Sequence, residues 1–232
     1  MTGMRSEITG LGVPQRAEAV REFDARYGEM DRVLWCLSRH CRPALIQGSA
    51  SPAVESLVWT IKSWWGVQGV RSETKALMAS ALAGAVTWSP ELFDGQFIPG
   101  EMAEEFAFTS VSEVVDAGMR LGVPRREFSL ASKVLHWLLP WRVPVYDSFV
   151  RQYLGVPASW DHPQAYRRVV GEVYAMAGDT ASDLSWAGTS EPLSPLHAVD
   201  KCLWWLGGGN SATAAEVRQP WRVIDQLGLP RC

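Results

Sequence analysis

The sequence predicts an all-α protein on three observations. Apolar residues recur at spacings of three and four along most of the chain, glycine and proline fall between those runs, and strand-like alternation has little support. The helices are expected to form a two-lobed bundle with continuous packing, one unit over residues 1–232 rather than two independently folded domains.

The first helix, or helix pair, is read from Pro14 to Cys41, where Ala17, Val20, Phe23, Tyr27, Met30, Val33, Leu34 and Leu37 mark one stripe. A second covers Ala53 to Trp65, with Val54, Leu57, Val58, Ile61 and Trp65 on one face and Gly66 and Gly69 ending it. Ser72 precedes a third, Glu73 to Thr87, rich in alanine and leucine. Trp88 to Gly100 holds Ser89-Pro90, Asp94-Gly95 and Pro99-Gly100, so an irregular connection is expected there. Helices follow over Thr109 to Leu121, Leu130 to Leu139, Ser148 to Leu154, His162 to Met176 and Ala198 to Leu206, the last closed by Gly207-Gly208-Gly209.

Composition excludes some classes of function. No apolar run reaches the roughly eighteen residues of a membrane helix, and Met1 to Gly12 lacks the apolar stretch of a signal peptide, so no membrane partner and a cytoplasmic location are expected. Cys36, Cys41, Cys202 and Cys232 show no C-x-x-C spacing, and a reducing compartment argues against a disulfide framework. His40 and Cys36 offer ligands of the right type, but the expectation is no metal and no cofactor. The formal net charge of −3 is poor support for nucleic-acid binding. It conceals a gradient, because Met119 to Arg168 carries eight basic residues against three acidic ones, a local +5.

Phe128 to Val150 lies inside that basic window. On a helical projection Leu130, Ala131, Val134, Leu135, Trp137 and Leu138 form a wide apolar face with Lys133 at its edge, where an ammonium can line a groove. Only four lysines accompany eighteen arginines, and one of the four occupies this boundary. A lysine that snorkels from the core into water explains the position equally well. Pro140 ends the helix and Pro144 favours an extended connection. The helix climbs about 9 Å beyond Lys133, and the connection spans up to roughly 23 Å, so Asp147 can fold back beside it. Asp147 precedes S-F-V-R-Q-Y-L-G and reads as an N-cap, a position that holds a carboxylate rigid and ionised.

S-K-V-L-H-W-L-L-P followed by V-P-V-Y-D-S-F-V resembles the lysine-bearing helix-hairpin-helix DNA glycosylases, in particular the compact 8-oxoguanine-glycosylase-like branch. The run H-A-V-D-K-C-L-W-W-L-G from His197 to Gly207 is similar to the terminal helix of that branch. The hairpin segment departs from the glycine-rich L-P-G-V-G run, and Phe149 stands where the 8-oxoguanine enzymes carry histidine. The resemblance implies a helical fold with damaged double-stranded DNA in a cleft, bound by a nucleoid-associated monomer. Lys133 would be the nucleophile, Asp147 its carboxylate partner, and Gly122 to Ser132 the hairpin on the DNA backbone, inside a hairpin and catalytic segment spanning residues 119–155.

The chemistry so implied is excision of a damaged or modified base, an 8-oxoguanine-like purine first, with β-lyase strand cleavage through a Lys133 Schiff base. Arg125, Arg126, Ser132 and Arg151 are the expected DNA contacts, and His136 an accessory group. Two other readings fit the same residues: a catalytically silent binder of altered DNA, and a helical interaction module without nucleic acid. Twelve tryptophans exceed ordinary usage, but Trp64, Trp65, Trp137, Trp204 and Trp205 all sit at core-like spacing, so none is assigned to a base.

Overall fold

The computed structural model describes residues 12–64, 72–93, 95–181, 194–209 and 219–232, and among these it is all-α, with no strand. In chain order the helices are α1 (Val13–Ile46), α2 (Pro52–Trp64), α3 (Ser72–Ala85), α4 (Pro90–Phe93), α5 (Glu101–Leu121), α6 (Phe128–Leu138), α7 (Ser148–Tyr153), α8 (His162–Thr180), α9 (Pro195–Leu206) and α10 (Arg222–Gln226). Trp65, Gly66, Gly69, Asp94 and the Met1 to Leu11 stretch lie outside the described residues.

Helix α1 is longer than its sequence pattern suggests. It runs through Pro43 to Ile46, because Pro43 forfeits one hydrogen bond only in the final turn while Leu45 stays fully buried. Gly48, at φ 65°, follows the helix in a left-handed turn. The connection expected from Trp88 to Gly100 contains the single turn α4, whose Phe93 ring stacks on Trp88 at 5.5 Å.

Helix α5 begins at Glu101, well before Thr109. Glu101 and Glu104 in its first turn favour the positive end of the helix dipole. At its other end Gly122 adopts φ 103°, the Val123 N–H donates to the Gly118 carbonyl at 2.9 Å, and the chain turns sharply. Residues 122–127 then lead directly into α6, so α5 and α6 are joined by a six-residue connection.

Helix α6 is the central element. It packs against α1, α2, α5 and α8, and every one of its residues except the half-buried Ser129 is buried. Helix α9 crosses the same region, contacting α1, α7 and α8. Its start is set by Ser194, whose Oγ accepts the His197 N–H at 3.0 Å and donates to the Pro140 carbonyl at 2.6 Å, tying α9 to the end of α6. That cap moves the beginning of α9 to Pro195, three residues before Ala198. One apolar core takes residues from every described helix, and a smaller aromatic cluster joins Phe23, Tyr27 and Met30 of α1 to Trp204 of α9.

Cys36 and Cys232 are bonded, contrary to the expectation of unpaired thiols. Residues 219–232 return alongside α1 and bring the two Cα atoms to 5.4 Å. Cys41 and Cys202 are buried free thiols. No described helix is long and apolar enough to cross a membrane.

Candidate active site

Lys133 sits in the middle of α6, and Asp147 immediately precedes α7. The Asp147 backbone is extended, and its Oδ1 accepts the Val150 N–H at 2.9 Å, which is the N-cap that the sequence predicts. The other carboxylate oxygen, Oδ2, lies 3.7 Å from Lys133 Nζ, with the two side chains 11% and 18% exposed. A single carboxylate therefore caps a helix with one oxygen and faces an ammonium with the other.

Lys133 differs from its expected setting in one respect. Its helix begins two residues earlier than the periodicity indicates, and His197, Asp200 and Trp204 of α9 line the same cavity as its side chain. The residue is 9% exposed, so its amine faces a small cavity with mostly apolar walls rather than bulk water.

Ser132 sets the relative position of the pair. Its hydroxyl accepts the Tyr146 N–H at 3.1 Å and donates to the Ser129 carbonyl at 3.2 Å. Expected as a DNA contact, Ser132 is fully buried, and it fastens the extended segment before Asp147 onto α6. Arg125 and Arg126 are exposed in the α5–α6 connection, Arg126 within 4.0 Å of Asp116 and Arg125 paired with buried Glu127. Arg151, half-buried on α7, donates to the Pro157 carbonyl at 3.1 Å and lies 5.5 Å from the Tyr146 ring.

Lys133, Asp147 and Asp200 line one cavity, whose apolar walls include Phe23, Trp137, Val145 and Trp204. Its volume of about 20 Å³ is room for one water. A base enters only if some of those side chains move aside. A larger groove of about 470 Å³ on α5 and α8 is lined by Glu101, Glu104 and Glu105 with Arg167, a setting that disfavours phosphate.

Asp200 is the main functional candidate that the sequence reading missed. Burial, reinforced by the negative charge of Asp147, pushes its carboxyl well above the usual carboxylate range, which favours the protonated form facing the cavity. On α9, His197, Asp200, Lys201 and Trp204 follow one another at spacings of three, one and three, so the polar groups fall on one side of an otherwise apolar helix. That concentration of charge within an apolar run is the sequence signal that marks them.

His136, the expected accessory group, has both nitrogens engaged within the protein. Nδ1 lies 2.7 Å from the Val143 carbonyl, and Nε2 lies 2.7 Å from His197 Nδ1. His197 Nε2 continues the chain to Asp31 Oδ2 at 3.2 Å, and Lys201 Nζ reaches the same oxygen at 3.2 Å. A carbonyl only accepts, so His136 donates through Nδ1 and accepts through Nε2, and His197 must donate through Nδ1. One proton therefore has to lie between His197 and Asp31 for that contact to be a hydrogen bond.

Burial, and then the charge of His197, lower His136 to about 3, which keeps it neutral. Burial alone would raise Asp31, but the Lys201 ammonium and the bond from His197 outweigh it and hold the carboxyl below its usual value. Burial works against the charge on Lys201 too, and Asp31 and Asp24 together reverse that effect. The chain of groups joins α1, α6 and α9, and its two histidines line the cavity. Both ring nitrogens of His136 are occupied within the protein.

In comparisons with known proteins, no family model, no curated protein and no solved structure matches this chain.

Proposed function

We propose that this protein is a DNA N-glycosylase with β-lyase activity that removes a damaged or modified base from double-stranded DNA. The observation that carries this reading is the enclosed Lys133–Asp147 pair, an amine and a helix-capping carboxylate 3.7 Å apart in a cavity walled by aromatic rings. The reading takes the protein to act as a cytoplasmic, nucleoid-associated monomer, with an 8-oxoguanine-like purine as its first candidate base and no cofactor.

The residues divide the work by charge. Cleavage of the glycosidic bond leaves positive charge on the sugar, and Asp147, fixed by its cap, faces that charge as an anion. The reacting amine is neutral, so Lys133 Nζ first releases a proton to water; its lone pair then bonds C1′ as the C1′–N bond breaks. The bonding electrons leave with the base, which takes a proton from the neutral carboxyl of Asp200. Opening of the sugar gives a Schiff base, from which β-elimination expels the 3′ phosphate. Arg125 and Arg126 supply exposed positive charge beside α6 for the DNA backbone.

A cavity of about 20 Å³ specifically favours a second reading, a silent binder of altered DNA that never encloses a base. Borohydride trapping on a panel of duplexes with different lesions separates the two. The glycosylase gives a covalent adduct with at least one duplex; binding across the panel without any adduct selects the silent binder.

A further inference from the structure

Away from the Lys133 cavity, α1 and residues 219–232 bring a second set of reactive groups together. Cys36 and His40 are one helical turn apart on α1, so both face the returning segment. The donor atoms of Cys36, His40 and Cys232 all lie within 4.8 Å of one another. His40 Nε2 is 3.8 Å from Cys232 Sγ and 2.9 Å from the Pro230 carbonyl.

We propose that in the reduced protein Cys36, His40 and Cys232 form a zinc(II) site that clamps residues 219–232 onto α1. Two thiolates and an imidazole suit zinc far better than magnesium, calcium or manganese. Zinc–ligand bond lengths give tetrahedral edges of about 3.5 to 3.8 Å between nitrogen and sulfur or two sulfurs, so the His40–Cys232 separation already fits. The sulfurs themselves are bonded in this structure and separate by rotation of the exposed Cys232 side chain.

The local hydrogen bonding favours thiolate. Cys232 N–H donates to Cys36 Sγ at 3.1 Å, an interaction that stabilises a negatively charged sulfur. Cys41 is no competitor, because burial pushes its thiol far up and makes it a poor ligand. His40 Nε2–H donates to the Pro230 carbonyl, so binding zinc through Nε2 exchanges that contact for the metal and moves the ring proton to Nδ1. Three protein ligands leave the fourth position to water.

The balance is simple. Opening the Cys36–Cys232 bond takes two electrons and two protons, supplied by a phosphine in vitro or a low-molecular-weight thiol in a cell. Zinc binding then releases the two thiol protons.

The test uses the full chain, reduced with a phosphine, equilibrated with zinc and freed of excess metal. The expected result is about one tightly held zinc per chain, with Cys36 and Cys232 protected from alkylation until a chelator is added. Cys36→Ser should abolish uptake, and His40→Ala should weaken it by more than about tenfold while leaving oxidative pairing of the cysteines intact. His40 is partly exposed and not a member of the apolar core, so its replacement leaves the fold available for measurement. Failure of the reduced protein to retain zinc, or retention unchanged in both variants, overturns the proposal.

Discussion

The Ser132 hydroxyl accepts the Tyr146 N–H at 3.1 Å, which fastens the residue before Asp147 to the residue before Lys133. The bond makes Ser132 a lever on the distance between amine and carboxylate without touching either. Ser132→Ala leaves that buried N–H without a partner, at a cost of about 1–3 kcal/mol. Chemical denaturation should register the loss, and the trapped adduct should fall further than the change in folded fraction accounts for. Trapping that simply follows folded protein would assign Ser132 to stability alone.

Lys133→Gln and Asp147→Asn should fail in different ways. The first removes the proposed nucleophile and should eliminate the borohydride adduct, with DNA binding largely retained. The second keeps an N-cap, since asparagine caps about as well as aspartate, but removes the anion that faces the sugar. Base excision should drop by orders of magnitude with little change in melting temperature. Normal excision with both residues replaced would end the proposed mechanism.

The buried titrating groups set opposite limits on stability. His136 is lowered to about 3, first by burial. An unfolded chain protonates this histidine near pH 6.5, so stability present above that value is lost as pH falls towards about 3, by up to about 1.4 kcal/mol per pH unit. Asp200 is raised, so its contribution is complete below about pH 4 and declines as pH rises through the range where the folded group ionises. Thermal melts across pH should therefore show the decline that sets in above about pH 4 relieved in Asp200→Asn and the His136 decline towards low pH unchanged. An equal loss with rising pH in that variant would place the raised carboxyl elsewhere.

Arg125 and Arg126 make a separate claim about the DNA surface. Replacing either with alanine should weaken binding to all duplex sequences alike and reduce the salt slope by about one unit. Titrations at several salt concentrations read this directly, and an unchanged slope in both variants would remove the α5–α6 connection from the interface.

Local chemistry was legible in the sequence wherever a short stretch decided the outcome. Asp147 followed by Ser148-Phe149-Val150 reads as a cap and is one, and Pro140 ends α6 as its ring geometry requires. The start of α5 was concealed by Pro99-Gly100, which marks a turn but says nothing of how soon the next helix begins. The enclosure of Lys133 was hidden for another reason. A helical projection shows one helix by itself, and the groups that close over Lys133 come from α1 and α9, far away along the chain. Asp200 and His197 became intelligible only once α9 lay beside α6.

The two halves of the polar site close over very different lengths of chain. Ser132 and Tyr146 are fourteen residues apart, whereas Asp31 and His197 are 166 apart and Asp24 and Lys201 are 177 apart. Local contacts close with little loss of chain entropy, and distant ones cost more. On that ordering the Ser132–Tyr146 bond can hold Lys133 near Asp147 early in folding, while the buried ions of α1 and α9 lose their water only as the last helices dock. Fragments that stop short of α9 would then keep the reactive pair but leave it open to solvent.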